Sequence, residues 1–183
     1  MVALTPGLFV VPVGALAGAL GLYAYFLKRA TNKPVFRRFV GTGAVLAFLL
    51  NYAWELSHCT LYQGISYDLP HVAFLALASL ADTIMAGLLY FGFALVYRNG
   101  LWARHLPAER IFWLVVAGGT GAILSEVAHL AAGNWAYATR MPIIPGIGVG
   151  LTPVLQFMVL PVLIYSLSAR FTAPSAAPPS RSS

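Results

Sequence analysis

Five apolar runs, each long enough to cross a bilayer, decide most of what this chain can fold into. They lie at about 9–27, 39–58, 71–97, 111–131 and 146–168. A helix of about 20 residues, rising about 1.5 Å each, covers the roughly 30 Å of hydrocarbon in a membrane. Hydrophobic residues make up 60% of the 183 and charged residues only 9%, against roughly 25% charged in a soluble domain. So small a chain has too little interior to hide five such runs, and lipid must surround them in place of water. The fold class expected is all-α: a polytopic transmembrane helix bundle, one domain over 1–171, followed by a disordered cytoplasmic tail over 172–183 (TAPSAAPPSRSS).

The basic residues set the expected orientation. A net charge of +6 with a pI near 9.8 would suit nucleic acid if it formed a groove interleaved with aromatics, but here it flanks the apolar runs, so no nucleic-acid partner is expected. Ten of the eleven basic residues (Lys28, Arg29, Lys33, Arg37, Arg38, Arg98, Arg104, Arg110, Arg170, Arg181) fall on one side of the alternating layout, and Arg140 alone falls on the other. The positive-inside rule makes the larger set cytoplasmic, giving N-out/C-in topology in a bacterial inner (plasma) membrane. Trp135 and Tyr137 outside, with Trp102 and Trp113 near the inner side, are expected in the interfacial aromatic belts. Lys28 and Arg29 follow the first run instead of preceding it, so that run is expected to persist as a helix. Its Gly14 and Gly18 form a GxxxG spacing that permits close helix packing and a homo-oligomer. Cys59 is the single cysteine, which leaves no intrachain disulfide.

Three of the five acidic residues, Glu55, Asp82 and Glu126, fall inside the expected spans, where a charged side chain costs a few kcal/mol even on lenient insertion scales. They cannot face lipid. Asn51, Glu55 and His58 are spaced four and then three apart, so they share one helical face. Glu126 and His129 repeat the Glu-x-x-His arrangement on the fourth run, and Gly118 and Ala122 on the same stripe let a neighbouring helix approach. With alternating helices, Glu55 and Glu126 lie roughly 7 to 10 Å outward of the midplane at about 1.5 Å per residue. The layout predicts a polar funnel opening outward, with Asn51, Asp82 and Gln156 as its floor and His58, His71 and His129 at its rim.

Paired Glu-x-x-His motifs with a further carboxylate are the pattern of carboxylate-bridged metal sites in helical bundles. His58, His129, Glu55 and Glu126 are therefore the candidate metal ligands, for a divalent zinc, iron or manganese ion. The structural alternative is that these groups hydrogen-bond one another across helices. His71 reads as a helix-start residue, and His105 as a solvated loop residue. Glu109 is placed to favour the positive end of the fourth helix's dipole. Gly133 to Pro153 is irregular and rich in glycine and proline. Pro153 is expected to break or kink the start of the fifth helix, leaving either an anchored interfacial loop or a substrate-binding lid beside the funnel.

The run Asn51-Tyr-Ala-Trp54-Glu55-x-x-His58-x-x-Leu61-Tyr62, then Asp82, Ser125-Glu126, Trp135-x-Tyr137-x-x-x-Met141-Pro142 and Gly148-x-Gly150-Leu151-x-Pro153-x-x-Gln156 resembles an uncharacterised family of small bacterial polytopic membrane proteins. That resemblance covers the second to fifth helices and implies no activity. Glu126, Gly133, Trp135 and Tyr137 are more faintly similar to small membrane carotenoid enzymes of the lycopene cyclase and carotenoid hydratase type. The paired acidic motif of the cyclases at the start of the last helix is absent. This second resemblance implies an isoprenoid-like substrate.

The leading expectation is a membrane enzyme or binding protein acting on a lipid-soluble molecule. Glu55, Asp82 and Glu126 are its catalytic acids, and Asn51, Trp135, Tyr137 and Gln156 are its substrate contacts. One carboxylic acid would protonate a double bond or leaving group, a partner carboxylate or histidine would take the proton back, and the rings of Trp135 and Tyr137 would shield a cation between them. The alternatives are a proton- or cation-coupled transporter, a haem or quinone electron-transfer subunit, and a structural or assembly subunit. The absence of an evident internal repeat weighs against the first of these.

Overall fold

The computed structural model describes residues 7–64 and 66–173, with side chains from residue 10 onward. Five helices run through them: α1 (Gly7–Arg29), α2 (Lys33–His58), α3 (Leu69–Val96), α4 (Ala108–Ala131) and α5 (Leu151–Phe171). Each is long and apolar enough to cross a membrane. Two short 3-10 turns, Cys59–Leu61 and Trp102–Arg104, follow α2 and precede α4. The described residues contain no strand, only two isolated bridges, Tyr62 with Tyr137 and Ile143 with Gly150.

The helices begin where capping chemistry places them, several residues before the apolar runs. Asn32 caps α2 by accepting from the Val35 backbone N–H at 3.1 Å. Pro34 occupies the first turn, where a missing N–H costs nothing. Asp68 and Pro70 repeat the arrangement for α3, the Asp68 carboxylate accepting from the His71 N–H at 3.0 Å. Glu109 lies in the first turn of α4, as the dipole argument expects. The fifth run departs most from expectation: the helix starts at Leu151 and not near 146, and Pro153 falls in its first turn, where it neither breaks nor kinks it. The expected tail over 172–183 lies outside the described residues from 174 onward. Its first residue, Thr172, is buried and bonds back to the Ser168 carbonyl at 2.6 Å, which corrects that boundary.

α5 and α2 form the centre of the bundle. α5 packs on α2 and α4, α2 also packs on α3, and α1 lies against α3 on the outside. Large apolar side chains cover the outer faces, among them Val11 (77% exposed), Val96 (73%) and Leu124 (66%), as helices facing lipid require. Ridge contacts are closest between α4 and α5. A Cβ on Gly118 would stand 2.0 Å from the Phe157 carbonyl oxygen, the very carbonyl that Pro161, four residues on, leaves without a helical N–H. Only glycine permits this approach, and its Cα–H offers the orphan oxygen a weak hydrogen bond. The Gly14–Gly18 spacing makes no comparable contact: nothing lies near Gly14, and only Leu88 lies near Gly18.

Arg29, Arg38, Arg98 and Arg110 gather at one end of the bundle. Arg38 at the start of α2 donates to the Phe171 carbonyl at the end of α5 (3.2 Å), and Arg29 and Arg98 line one crevice. Trp102, expected in the interfacial belt, is instead buried at this end. Its indole N–H donates to the Tyr90 carbonyl at 3.0 Å, and its ring packs among Tyr90, Phe93, Tyr97 and Tyr165. An indole with an internal acceptor gains nothing from reaching the headgroups. Trp113 is half-exposed on α4.

Candidate functional site

The opposite half of the bundle holds the intramembrane polar residues, arranged on two levels. The inner level joins three helices through one side chain. Gln156 of α5 is buried, and its Nε2 faces Asn51 Oδ1 of α2 at 2.9 Å, Asp82 Oδ2 of α3 at 3.0 Å and Glu55 Oε1 of α2 at 3.3 Å. Asn51 fixes the polarity of this knot. Its own Nδ2 donates to the Ala47 carbonyl at 2.8 Å, so its oxygen is what meets Gln156, and Gln156 must present its NH2 group. That amide has two hydrogens for three oxygens, and the longest contact, to Glu55, is the one least well served.

The outer level is an aromatic lid. Tyr137 donates its hydroxyl to Glu126 Oε2, and the Trp135 indole N–H reaches the same oxygen at 3.4 Å. Backbone bonds zip the two outer loops together and hold these rings in place: Gln63 N to Ala136 O at 2.9 Å, and Ala138 N to Leu61 O at 2.8 Å. Tyr62, paired with Tyr137 across this bridge, packs edge-on against His58 and Trp135, and His129 stacks on Trp135 with ring centroids 4.3 Å apart. Burial first, and then the nearby carboxyls of Glu126, Glu55 and Asp82 with the Tyr137 hydroxyl, hold the Tyr62 phenol well above its ordinary range. Tyr137 is pushed the same way by burial and by its bond to Glu126. Both phenols stay protonated at physiological pH, and Tyr137 donates to Glu126.

The segment expected to be irregular is a folded strap. Ile144 N bonds to Val149 O at 2.8 Å, and Leu151 N bonds to Pro142 O at 2.7 Å. Met141 and Val149 are buried beneath it. Gly150 lets the strap close on the lid: a Cβ there would meet Met141 Sδ at 3.0 Å and Tyr137 Cε1 at 3.2 Å.

The structure thus brings Asn51, Glu55, Asp82 and Gln156 together, and joins Glu126 to Trp135 and Tyr137. It does not bring the three histidines to one rim. His58 bonds through Nδ1 to the Trp54 carbonyl at 2.7 Å, and His129 lies 2.6 Å from Asn134 Nδ2. His71 sits apart, its Nδ1 2.8 Å from Asp68. The rings of Tyr62 and Trp135 stand between His58 and His129. The expected ligand set of His58, His129, Glu55 and Glu126 is therefore not assembled, and no three His, Cys, Asp or Glu side chains among the described residues are grouped to hold a metal ion. Nor do these four groups hydrogen-bond one another across helices: His58 and His129 bond to Trp54 and Asn134, and Glu55 and Glu126 to Gln156, Trp135 and Tyr137. Tyr62 carries no charge or metal-ligand signal in the sequence, although it lies seven residues after Glu55 and ends the same polar stretch. Trp54 buries its indole N–H with no acceptor among the described residues.

An apolar cleft of about 70 Å³ begins one turn inward of the knot, between α2, α3 and α5. Ala47, Thr83, Ala86, Gly87, Tyr90 and Tyr165 are among its walls. Its polar atoms are engaged elsewhere: Thr83 donates to Ser79 O at 2.7 Å, Tyr165 to Ala86 O at 2.6 Å, and Tyr90 to Gly100 O. What remains is an apolar slot, with Ala47 and Thr83 as its walls nearest the knot.

Fold and site together define an all-helical chain whose five apolar helices fit a multi-pass membrane protein, with a buried polar centre near one end. Comparison with family models, with curated proteins and with solved structures finds no match to this chain.

Proposed function

We propose that this is a bacterial inner-membrane enzyme, N-terminus outside and C-terminus in the cytoplasm, that moves a proton on a lipid-soluble, isoprenoid-like substrate. One observation carries the reading: Gln156 holds the carboxyls of Glu55 and Asp82, from two helices, on a single amide nitrogen, and an apolar slot begins about one turn inward of them. Among the described residues the only ion pair is His71 with Asp68, so no cation neutralises either acid. A carboxyl pair costs a membrane helix several kcal/mol, and a purely structural bundle has no need of it.

In this reading a proton passes from one carboxylic acid to an alkene carbon and leaves a tertiary cation. A neighbouring carboxylate then removes a proton from the adjacent carbon, so the double bond shifts and no other reagent is consumed. Tyr62, Trp135 and Tyr137 close the outer side of the carboxyl centre and shield it from water. The slot, at about 70 Å³, is about half the roughly 150 Å³ of a cavity that admits benzene, so a substrate chain would enter it only in part, with the rest lying between the helices and the lipid.

The test uses purified full-length protein in mild detergent, with bound lipid identified by mass spectrometry. Wild type should carry a non-polar isoprenoid. Gly87→Leu should lose it while folding normally, because a Cβ at Gly87 enters open space in the slot wall. Equal retention by the two proteins contradicts the assignment.

A further inference from the structure

At the opposite, basic end a second crevice, of about 630 Å³, opens between the α1–α2 turn and the loop after α3. Phe26, Phe36 and Leu101 are among its apolar walls, and Arg29, Thr31, Asn32, Arg98 and Asn99 supply its polar ones. None of those polar side chains is a carboxylate, and all of them can donate. The Asn32 oxygen is committed to Val35 N (3.1 Å) and the Asn99 oxygen to Leu101 N (2.8 Å), which leaves both NH2 groups free to donate. Arg38 and Arg110 at the same end are spent on backbone carbonyls. Arg29 is instead held with its guanidinium 3.8 Å above the Tyr25 ring, its N–H fork unspent on any acid.

A concave site with two guanidiniums, two amide donors, a hydroxyl and no carboxylate has the chemistry to take an anion. The fork geometry of arginine suits phosphate oxygens, and the N-terminus of α2 at Asn32 adds its dipole. The aromatic floor gives an attached hydrocarbon or glycerol group somewhere to lie. We infer that this crevice binds a phosphate group, carried either by an anionic lipid headgroup or by a free phosphate, independently of the carboxyl centre at the other end.

The test titrates full-length protein in neutral detergent with phosphatidylglycerol, phosphatidylcholine and inorganic phosphate, reading bound ligand by native mass spectrometry. Wild type should bind phosphatidylglycerol in preference to phosphatidylcholine. The Arg29→Gln/Arg98→Gln double variant should weaken this about tenfold or more, as expected for two lost charge-assisted contacts. Arg104→Gln/Arg170→Gln removes the same charge from the same end outside the crevice, and should stay within about twofold of wild type. Thr31→Glu, at an exposed turn residue that tolerates change, should abolish binding even if the arginine variant misfolds. Binding of phosphatidylglycerol alone assigns the site to a headgroup, and competition by inorganic phosphate assigns it to the free anion. No binding of either probe, equal weakening in both arginine pairs, or full binding by Thr31→Glu overturns the inference.

Discussion

At Gln156 one amide nitrogen meets three oxygens from two other helices, and this arithmetic makes it the most consequential uncharged residue in the chain. Replacing it with leucine leaves two carboxyls and an amide oxygen without their donor inside the membrane, at about 1–3 kcal/mol for each buried group left unpaired. Gln156→Leu should therefore lower the thermal unfolding midpoint in detergent far more than Gln63→Leu, which removes only a bond to an exposed loop carbonyl. Equal midpoints would show that the knot is not formed. Asp68, outside the spans, gives a pH-dependent check. Hydrogen bonds from the Ser66 hydroxyl, then from the His71 amide and ring, hold its carboxyl down at about 2. Because the folded value is lowered, the cap on α3 is at full strength above the ordinary value of 3.8 and is lost as pH falls through about 2. Carboxyl NMR should place the Asp68 transition near pH 2 in wild type and at a higher pH in Ser66→Ala.

Among the elements, the α4–α5 contact is the most exactly specified. Gly118→Ala forces a methyl against the Phe157 carbonyl oxygen, an overpacking that costs about 1–3 kcal/mol. Gly121→Ala on the same helix meets nothing within 4 Å and should be neutral or stabilising, by up to about 1 kcal/mol of helix propensity. Thermal unfolding of the two variants distinguishes a built contact from a glycine of no consequence. The helices themselves were legible from apolar runs, because in lipid a backbone has no other way to satisfy its hydrogen bonds. The register of Asn51, Glu55, Asp82 and Gln156 was legible as well, since polar groups barred from lipid must face inward. What the sequence could not disclose was the path of 133–150. Its conformation rests on long-range bonds such as Gln63 N to Ala136 O, which carry no periodic signal. That path puts Tyr62 and Trp135 between the two histidines, and so it separated groups that looked like partners by spacing alone.

For the whole molecule, the two ends have different chemistries: an aromatic lid over acids at one, a basic crevice at the other. The proposed orientation puts the lid outside. With Cys59 replaced, a cysteine at the exposed Thr139 should react with an impermeant thiol reagent in intact cells, and one at His105 only after permeabilisation. The reverse pattern would place the acids on the cytoplasmic side.

The central claim is that the Glu55–Asp82 pair transfers protons to and from a hydrocarbon. Its most direct measurement is deuterium incorporation from D2O into the isoprenoid carried by the reconstituted protein, compared among wild type, Glu55→Gln, Asp82→Asn and Glu126→Gln. The account predicts deuterium at an alkene or allylic carbon with wild type, and a fall of at least about a hundredfold in Glu55→Gln and Asp82→Asn, the scale of a lost general acid or base. Incorporation by Asp82→Asn at the wild-type rate, or none by wild type while the isoprenoid remains bound, would contradict it.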